Sequence, residues 1–455
     1  MRAWCAQSPL PSAAADVAQR APLRRGVKRE APTHSLDAGP EPADATVVKR
    51  ERLDAGDDKW HVLCSAQELS CERTLASGQT FSWRRHPRTQ HWSGVIGAHV
   101  FALRERDASV EFRCLHPSDA DSAREELTHY FRLEADAALL YTAWMQTQDA
   151  MAQLIQHLPG HRLVRQDPVE CLFAFICSSN NNIQRIQQMV DKLRATYGTL
   201  LLTVDLDDND EEEGAGTSAS SRAATQETRS YYAFPTAEML AASCEEATLR
   251  ALGFGYRAPF ITKASRQLVA LGGASFLHGI RDWKPSAHDD AAAEQDAYQE
   301  QLMVFAGVGR KVADCVALFA LERLDAIPVD THVLQIAQRE FDAALAETKS
   351  LTPAVYRRVG DHFRARFAPL AGWAHSVLFT GDLAAFQSHL PADMQRQKTT
   401  KATAATGKKK KKAATKNSGA LKAEANEQLP SDARNGTEEN AQVTRAPRAP
   451  SRARS

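Results

Sequence analysis

The run FAGVGRKVADC, residues 305–315, and the AIPVDTHV that follows at 326–333 bring an amine, a carboxylate and a glycine turn close together in the chain. Gly307 and Gly309 carry no Cβ, so the backbone can turn sharply there and approach another molecule closely. The unpaired N–H groups of a helix start after the turn form a place to hold a phosphate. Lys311 falls in the first turn of that helix. The positive end of the helix dipole opposes a second positive charge, so its pKa is expected to fall, which would make the amine a usable nucleophile. Asp330 supplies a carboxylate. Together these parts can grip a sugar-phosphate strand and attack a sugar carbon.

The elements that must position them read as a helix–hairpin–helix. Tyr298, Leu302 and Phe305 share one helical face before the turn, and Val312, Cys315 and Phe319 share one after it. Val308 can plug apolar surface between the two helices. Cys315, four residues beyond Lys311, shares its face. Each part has a plainer reading. A helix-start lysine is commonly solvated, Asp330 suits an N-cap with no further duty, and Cys315 suits a small core hydrophobe. The joint pattern is what carries specificity.

That pattern resembles the helix–hairpin–helix DNA glycosylase superfamily. The wider chain, residues 60–386 apart from one insert, is similar to the eukaryotic 8-oxoguanine DNA glycosylase/AP lyase family. The stretches SGQTFSWRR (77–85), RQDPVECLFAFICSSNNNIQRI (165–186), LGFGYRA (252–258) and AGWAHSVLFTGDL (371–383) carry the likeness. The resemblance implies that Lys311 attacks the sugar C1′ and forms a Schiff base, that β-elimination then cuts the strand, and that Asp330 stabilises charge on the sugar. It implies that the Gly78 carbonyl reads the N7 proton that distinguishes 8-oxoguanine from guanine, with Phe379 and Cys315 on the two faces of the base. It assigns Asn180, Arg185 and Arg257 to the cytosine left behind and Tyr256 to the gap in the stack. Gly307 and Gly309 face DNA. His332 reads as a phosphate contact or as a surface histidine at a helix start. Two positions depart from the family. His375 stands where glutamine is usual, offering one donor and one acceptor when neutral and adding a pH dependence. Ala306 stands where proline is usual, which bears on hairpin stiffness.

The expected function is therefore removal of 8-oxoguanine opposite cytosine from double-stranded DNA, with AP lyase activity. The alternatives are a glycosylase for another damaged base and a DNA-binding module without chemistry. No cofactor is required, although the hairpin leaves room for a cation at a DNA phosphate. The expected fold class is α+β: a small antiparallel β-rich N-terminal domain (58–160) followed by a mostly helical body (161–390), with a disordered arm (1–57), a disordered acidic insert (205–230) and a disordered basic tail (391–455). FSWRR and HWSGVI flank one turn, and VFALRER and SVEFRCL flank Asp107-Ala108, as a meander does. Helices are expected over 119–132, 136–145, 149–158, 168–178, 183–197, 236–251, 256–271, 296–305, 310–321, 331–341, 353–367 and 370–385.

Composition sets the outer bounds. The 455 residues are 43% apolar, enough for a proper core, and no stretch approaches eighteen apolar residues, so no membrane helix is expected. The eight cysteines are scattered without a CxxC, which argues for reduced thiols and against a zinc ribbon. None follows Cys315, which argues against the iron–sulfur cluster of endonuclease III-like relatives. Net charge is zero but uneven: residues 396–455 carry about +10, 205–230 about −6 and the body about −5. Non-specific attraction to DNA thus falls to the tail. Its five-lysine run also reads as a nuclear signal. The basic first 29 residues read as an organellar presequence, pointing to the mitochondrion, or as a plain arm. A monomer is expected, with other repair proteins as partners through the disordered segments.

Overall fold

The computed structural model describes residues 59–396 apart from 118, 147–148, 206–227, 284–290, 346–347 and 349. The arm and nearly all of the basic tail lie outside the described residues. Five strands, β1 (His61–Ser65), β2 (Trp83–Arg85), β3 (Trp92–Ile96), β4 (His99–Arg106) and β5 (Ser109–His116), form an antiparallel sheet in the order β1-β5-β4-β3-β2. The β4–β5 turn is Asp107-Ala108, both at positive φ, the two-residue geometry that matches strand twist. Arg106 pairs with Ser109 across it.

Fifteen helices are described. They are α1 (Cys71–Leu75), α2 (Ala120–Tyr130), α3 (Ala137–Met145), α4 (Ala150–His157), α5 (Pro168–Cys177), α6 (Ile183–Tyr197), α7 (Ala237–Ser243), α8 (Glu246–Ala251), α9 (Ala258–Ala270), α10 (Ala274–Asp282), α11 (Ala291–Met303), α12 (Arg310–Ala320), α13 (Thr331–Glu340), α14 (Pro353–Phe367) and α15 (Ala371–Asp382). α5 is the hub of the body. Asp167 caps it through the N–H groups of Val169 and Glu170, Pro168 sits in its first turn, and all ten of its residues are buried. It packs against α12, the helix that carries Lys311.

The β-rich fold class and helical body agree with expectation, and five local readings are corrected. The sheet has an additional edge strand, β1. Residues expected as a helix over 236–251 form two, because Cys244 adopts an extended backbone and turns its side chain into the core. The glycines Gly272 and Gly273, both at positive φ, end α9 and admit the unexpected α10. The insert is not irregular throughout: β6 (Leu200–Asp205) and β7 (Thr228–Tyr232) pair as a hairpin around residues 206–227, which lie outside the described residues. The tail also begins later than expected, since Arg396 is ion-paired with Asp382 on α15.

One partly buried ionic clamp joins the α2 end of the N-terminal domain to the far end of α12. Glu322 accepts from Arg132 at 2.6 and 3.0 Å and from Arg165 at 2.8 Å. Burial works against its charged form, but the two guanidinium groups outweigh it and hold the carboxyl down at about 2. A carboxylate depressed in the folded state stabilises fully above its ordinary range, and that contribution disappears as pH falls toward 2. Glu322→Gln is expected to lower unfolding free energy by about 2 kcal/mol at neutral pH. In urea melts the gap from the parent should close on acidification; a gap independent of pH would contradict the clamp.

Candidate active site

Five separate pieces of chain line one open cavity: Ser77–Gln79, Phe175 of α5, the Lys311–Cys315–Phe319 stripe of α12, Pro328 and Asp330 of the following loop, and His375, Ser376 and Phe379 of α15. All six residues expected at the chemistry and the base lie here together. Sequence reasoning missed Phe175, Phe319, Gln79 and Ser376.

Helical spacing explains the α12 wall. Lys311, Cys315 and Phe319 recur every fourth residue and so share one face. The Lys311 Nζ sits 5.6 Å from the centroid of the Phe175 ring, and that ring stacks on Phe319 at 5.6 Å and 14°. Burial disfavours the Lys311 ammonium, but the Cys315 sulfur, which also takes a hydrogen bond from it, and the Asp330 carboxylate outweigh that. The result is an amine held above the ordinary lysine range. This corrects the expected depression: the adjacent sulfur and carboxylate raise the amine by more than burial lowers it. Burial pushes the Cys315 thiol up to about 11 despite the lysine, so it is a neutral, polarisable surface rather than a nucleophile.

Asp330 does cap its helix, α13. It accepts from the N–H of His332 at 2.9 Å and of Val333 at 3.1 Å. The cap fixes the carboxylate at the cavity wall.

Gly78 has φ +84, a conformation glycine adopts freely, and a Cβ there would press on Ile183 at 3.1 Å. Its neighbour Gln79 is buried and locks the loop. Gln79 Nε2 donates to the carbonyls of Thr74 (3.0 Å) and Arg162 (2.8 Å), and its Oε1 accepts from the Val164 N–H (3.0 Å). On the opposite wall Phe379 is half-buried and faces the cavity, with His375 stacked behind it at 6.1 Å and 19°. Both His375 ring nitrogens are buried and neither makes a hydrogen bond of good geometry, the Pro328 carbonyl being a weak contact at most. Burial pulls the ring down to about 4, helped by Lys311 and opposed by Asp330 and the Pro328 carbonyl.

A second group lies around the α5–α6 turn and the start of α9. The three asparagines divide their duties. Asn182 caps α6 through the Arg185 N–H at 2.9 Å, and Asn181 donates to the Cys177 carbonyl at 2.9 Å. Asn180, at φ +46, leaves its side chain exposed. Arg185 is also exposed. Tyr256 is 48% exposed, with its hydroxyl on the Ser179 carbonyl at 2.7 Å. Arg257 differs from expectation. It is buried under the Tyr256 ring, 4.4 Å from its centroid, and its guanidinium donates to the carbonyls of Ser179 and Asn180. It supports the turn that presents Asn180.

At the hairpin, Gly307 has φ +83 and a Cβ would meet Phe260 at 2.9 Å, so the turn requires glycine there. Gly309 is extended, with open space where a side chain would be, and caps α12 without a side-chain partner. Val308 is buried among the helices, as expected. His332 is half exposed, 3.9 Å from Asp382 and edge-on to Phe379. Among the described residues no cluster of three His, Cys, Asp or Glu could hold a metal ion, the seven cysteines are free, and no helix is long and apolar enough to cross a membrane.

Two family models match the chain: the N-terminal domain of 8-oxoguanine DNA glycosylase over residues 61–172, and the HhH-GPD superfamily of base excision DNA repair proteins over 173–356. The chain is 36% identical over 360 residues to the N-glycosylase/DNA lyase OGG1 of Arabidopsis thaliana, covering 78% of this chain and 88% of that protein. It is 32% identical over 341 residues to the N-glycosylase/DNA lyase of Saccharomyces cerevisiae, covering 70% and 84%. The fold is similar to that of Clostridium acetobutylicum 8-oxoguanine glycosylase/lyase, solved with dsDNA containing cytosine opposite to 8-oxoG. The TM-score is 0.54 and the identity 22%, over 69% of this chain and 91% of that one.

The site geometry predicts that His375 stays neutral through the physiological range. Its folded pKa lies below its ordinary value, so protonation begins only on strong acidification and then costs stability. NMR titration of the ring should show a midpoint well below 6, roughly two units under the free imidazole. A midpoint near the free value would mean that the ring is solvated.

Proposed function

The chain belongs to the eukaryotic 8-oxoguanine DNA glycosylase/lyase family of the helix–hairpin–helix superfamily, and from that premise we propose how its own residues perform the reaction. The protein is a base-excision-repair DNA glycosylase that removes 8-oxoguanine opposite cytosine, with an associated lyase step. The observation that carries the residue assignment is the meeting of Lys311, Asp330, Gly78, Cys315, His375 and Phe379 in one cavity.

The target nucleotide leaves the stack, at a cost of a few kcal/mol, and its base enters the cavity. Tyr256 fills the gap, while Asn180 and Arg185 hold the cytosine, with Arg257 bracing their turn. The base lies between Phe379 and Cys315. The Gly78 carbonyl accepts the N7 proton and so rejects guanine, whose N7 is itself an acceptor facing an acceptor. His375 offers one donor and one acceptor to the Watson–Crick edge.

Lys311, once deprotonated, attacks C1′ through Nζ. The N-glycosidic bond breaks and its electron pair leaves with the base, which takes up a proton. Asp330 stabilises the positive charge that develops on the sugar. Ring opening, with expulsion of O4′ from C1′, gives the protonated Schiff base. Loss of a C2′ proton then breaks the C3′–O bond. Because Lys311 is held as an ammonium in the free protein, DNA binding must shift its proton before attack. The hairpin amides beyond Gly307 take a DNA phosphate, with room for a shared cation, and His332 lies beside that strand. The protein acts as a monomer in the nucleus; the N-terminal arm is the segment that would direct a mitochondrial share.

Two experiments test this reading. Duplexes carrying single lesions opposite each of the four bases should be cut with preference for 8-oxoguanine:C; preference for alkylated or pyrimidine lesions would overturn it, and His375→Gln on the same panel reports whether histidine changes the lesion range. Lys311→Gln should retain duplex binding within a few-fold, since the lost amine is one of many contacts, yet show no borohydride trapping; persistent trapping would mean another amine is the nucleophile.

A further inference from the structure

The mechanism above leaves one fully buried carboxylate unused, Asp314. It lies one turn beyond Lys311 on α12 and next to Cys315. Its Oδ1 accepts from the Tyr298 hydroxyl at 2.8 Å and from Gln299 Nε2 at 2.8 Å, both on α11. Its Oδ2 accepts from the Tyr356 hydroxyl on α14. That hydroxyl in turn accepts from the Val329 N–H at 3.3 Å and lies 3.3 Å from the Ile327 carbonyl. Val329 immediately precedes Asp330. A single hydroxyl therefore ties the helix that carries Lys311 to the loop that carries Asp330.

We propose that Asp314 and Tyr356 are positioning residues that set the spacing between Lys311 and Asp330. Three donors converge on two carboxylate oxygens, an arrangement an ionised carboxylate satisfies in full. Burial pushes the carboxyl up to about 6 against the pull of its three donors. Tyr298 and Tyr356 are both almost wholly buried and both donate to Asp314. Only Tyr356 reaches Val329. That difference separates positioning from plain stability. A buried network kept for stability alone would respond alike to losing either hydroxyl.

The inference rests on Lys311 as nucleophile, and the test distinguishes the two. The full-length protein, Tyr356→Phe, Tyr298→Phe and Asp314→Asn are compared for the single-turnover rate of borohydride cross-linking to an 8-oxoguanine:C duplex, for duplex Kd and for Tm. Tyr356→Phe and Asp314→Asn should slow cross-linking about tenfold or more, the scale of a sub-ångström to ångström misplacement, with Kd unchanged. Tyr298→Phe should lower Tm comparably and leave the rate within about twofold, a smaller change than a displaced nucleophile gives. Should a phenylalanine variant fail to fold, 3-fluorotyrosine at 356 or at 298 keeps ring volume and perturbs only the hydroxyl; the rate should move at 356 alone. Equal rate losses at the two tyrosines, or none at 356, overturn the proposal. A parent that cross-links to no duplex overturns the reading of Lys311 and this proposal with it.

Discussion

Lys311 is a cation set against an apolar wall. The Phe175 ring lies under it, Phe319 stacks on that ring, and the side chain is partly buried. Left alone there, an ammonium would lose its proton or draw in solvent. The Cys315 sulfur and the Asp330 carboxylate prevent both, and they outweigh the burial. That balance constrains the rest of the fold. The α12 face must be apolar except at one position, the loop after it must end in a capping aspartate, and a wall must close over them without supplying another charge. α15 meets that last demand with a histidine that burial keeps neutral and an aromatic ring in front of it.

The cavity is built from residues as far apart in the chain as Ser77 and Phe379. Its precision therefore depends on what holds distant segments in register. Gln79 bonds two separate backbone segments, at Thr74 and at Arg162–Val164, and fixes the Gly78 loop to the start of the helical body. The Arg132–Glu322–Arg165 clamp ties the N-terminal domain to the far end of α12. The Asp314–Tyr356–Val329 chain sets the two reacting groups relative to one another. Gln79 and Asp314 are buried polar groups with their hydrogen bonds made inside the protein, the condition under which such groups specify geometry rather than destabilise the core, and the clamp is partly buried.

Much of this was legible in the chain. The hairpin, the stripe of Lys311, Cys315 and Phe319, the cap at Asp330 and the meander around Asp107-Ala108 all follow from local rules of spacing and turn chemistry. What escaped depends on contacts made at long range. β6 and β7 are separated by a strongly polar insert, and nothing local says that TRSYY returns to pair with LLLTVD. Arg257 reads as one of a pair of DNA-facing arginines, and only the fold shows it buried beneath Tyr256. The Lys311 amine is held up by Cys315, one helical turn away, and by Asp330, which only the fold brings to it. Gln79 was visible, but a glutamine acquires meaning only when the carbonyls it must satisfy are in place.

The central claim is that the amine of Lys311, and no other, becomes bonded to the sugar. Reduction of the reaction on an 8-oxoguanine:C duplex with borohydride, nuclease trimming of the DNA and tandem mass spectrometry of the digested protein would locate that bond directly. The account predicts a deoxyribose-derived adduct on the peptide containing Lys311. An adduct on any other lysine or on the N-terminal amine, with the Lys311 peptide unmodified, would contradict it.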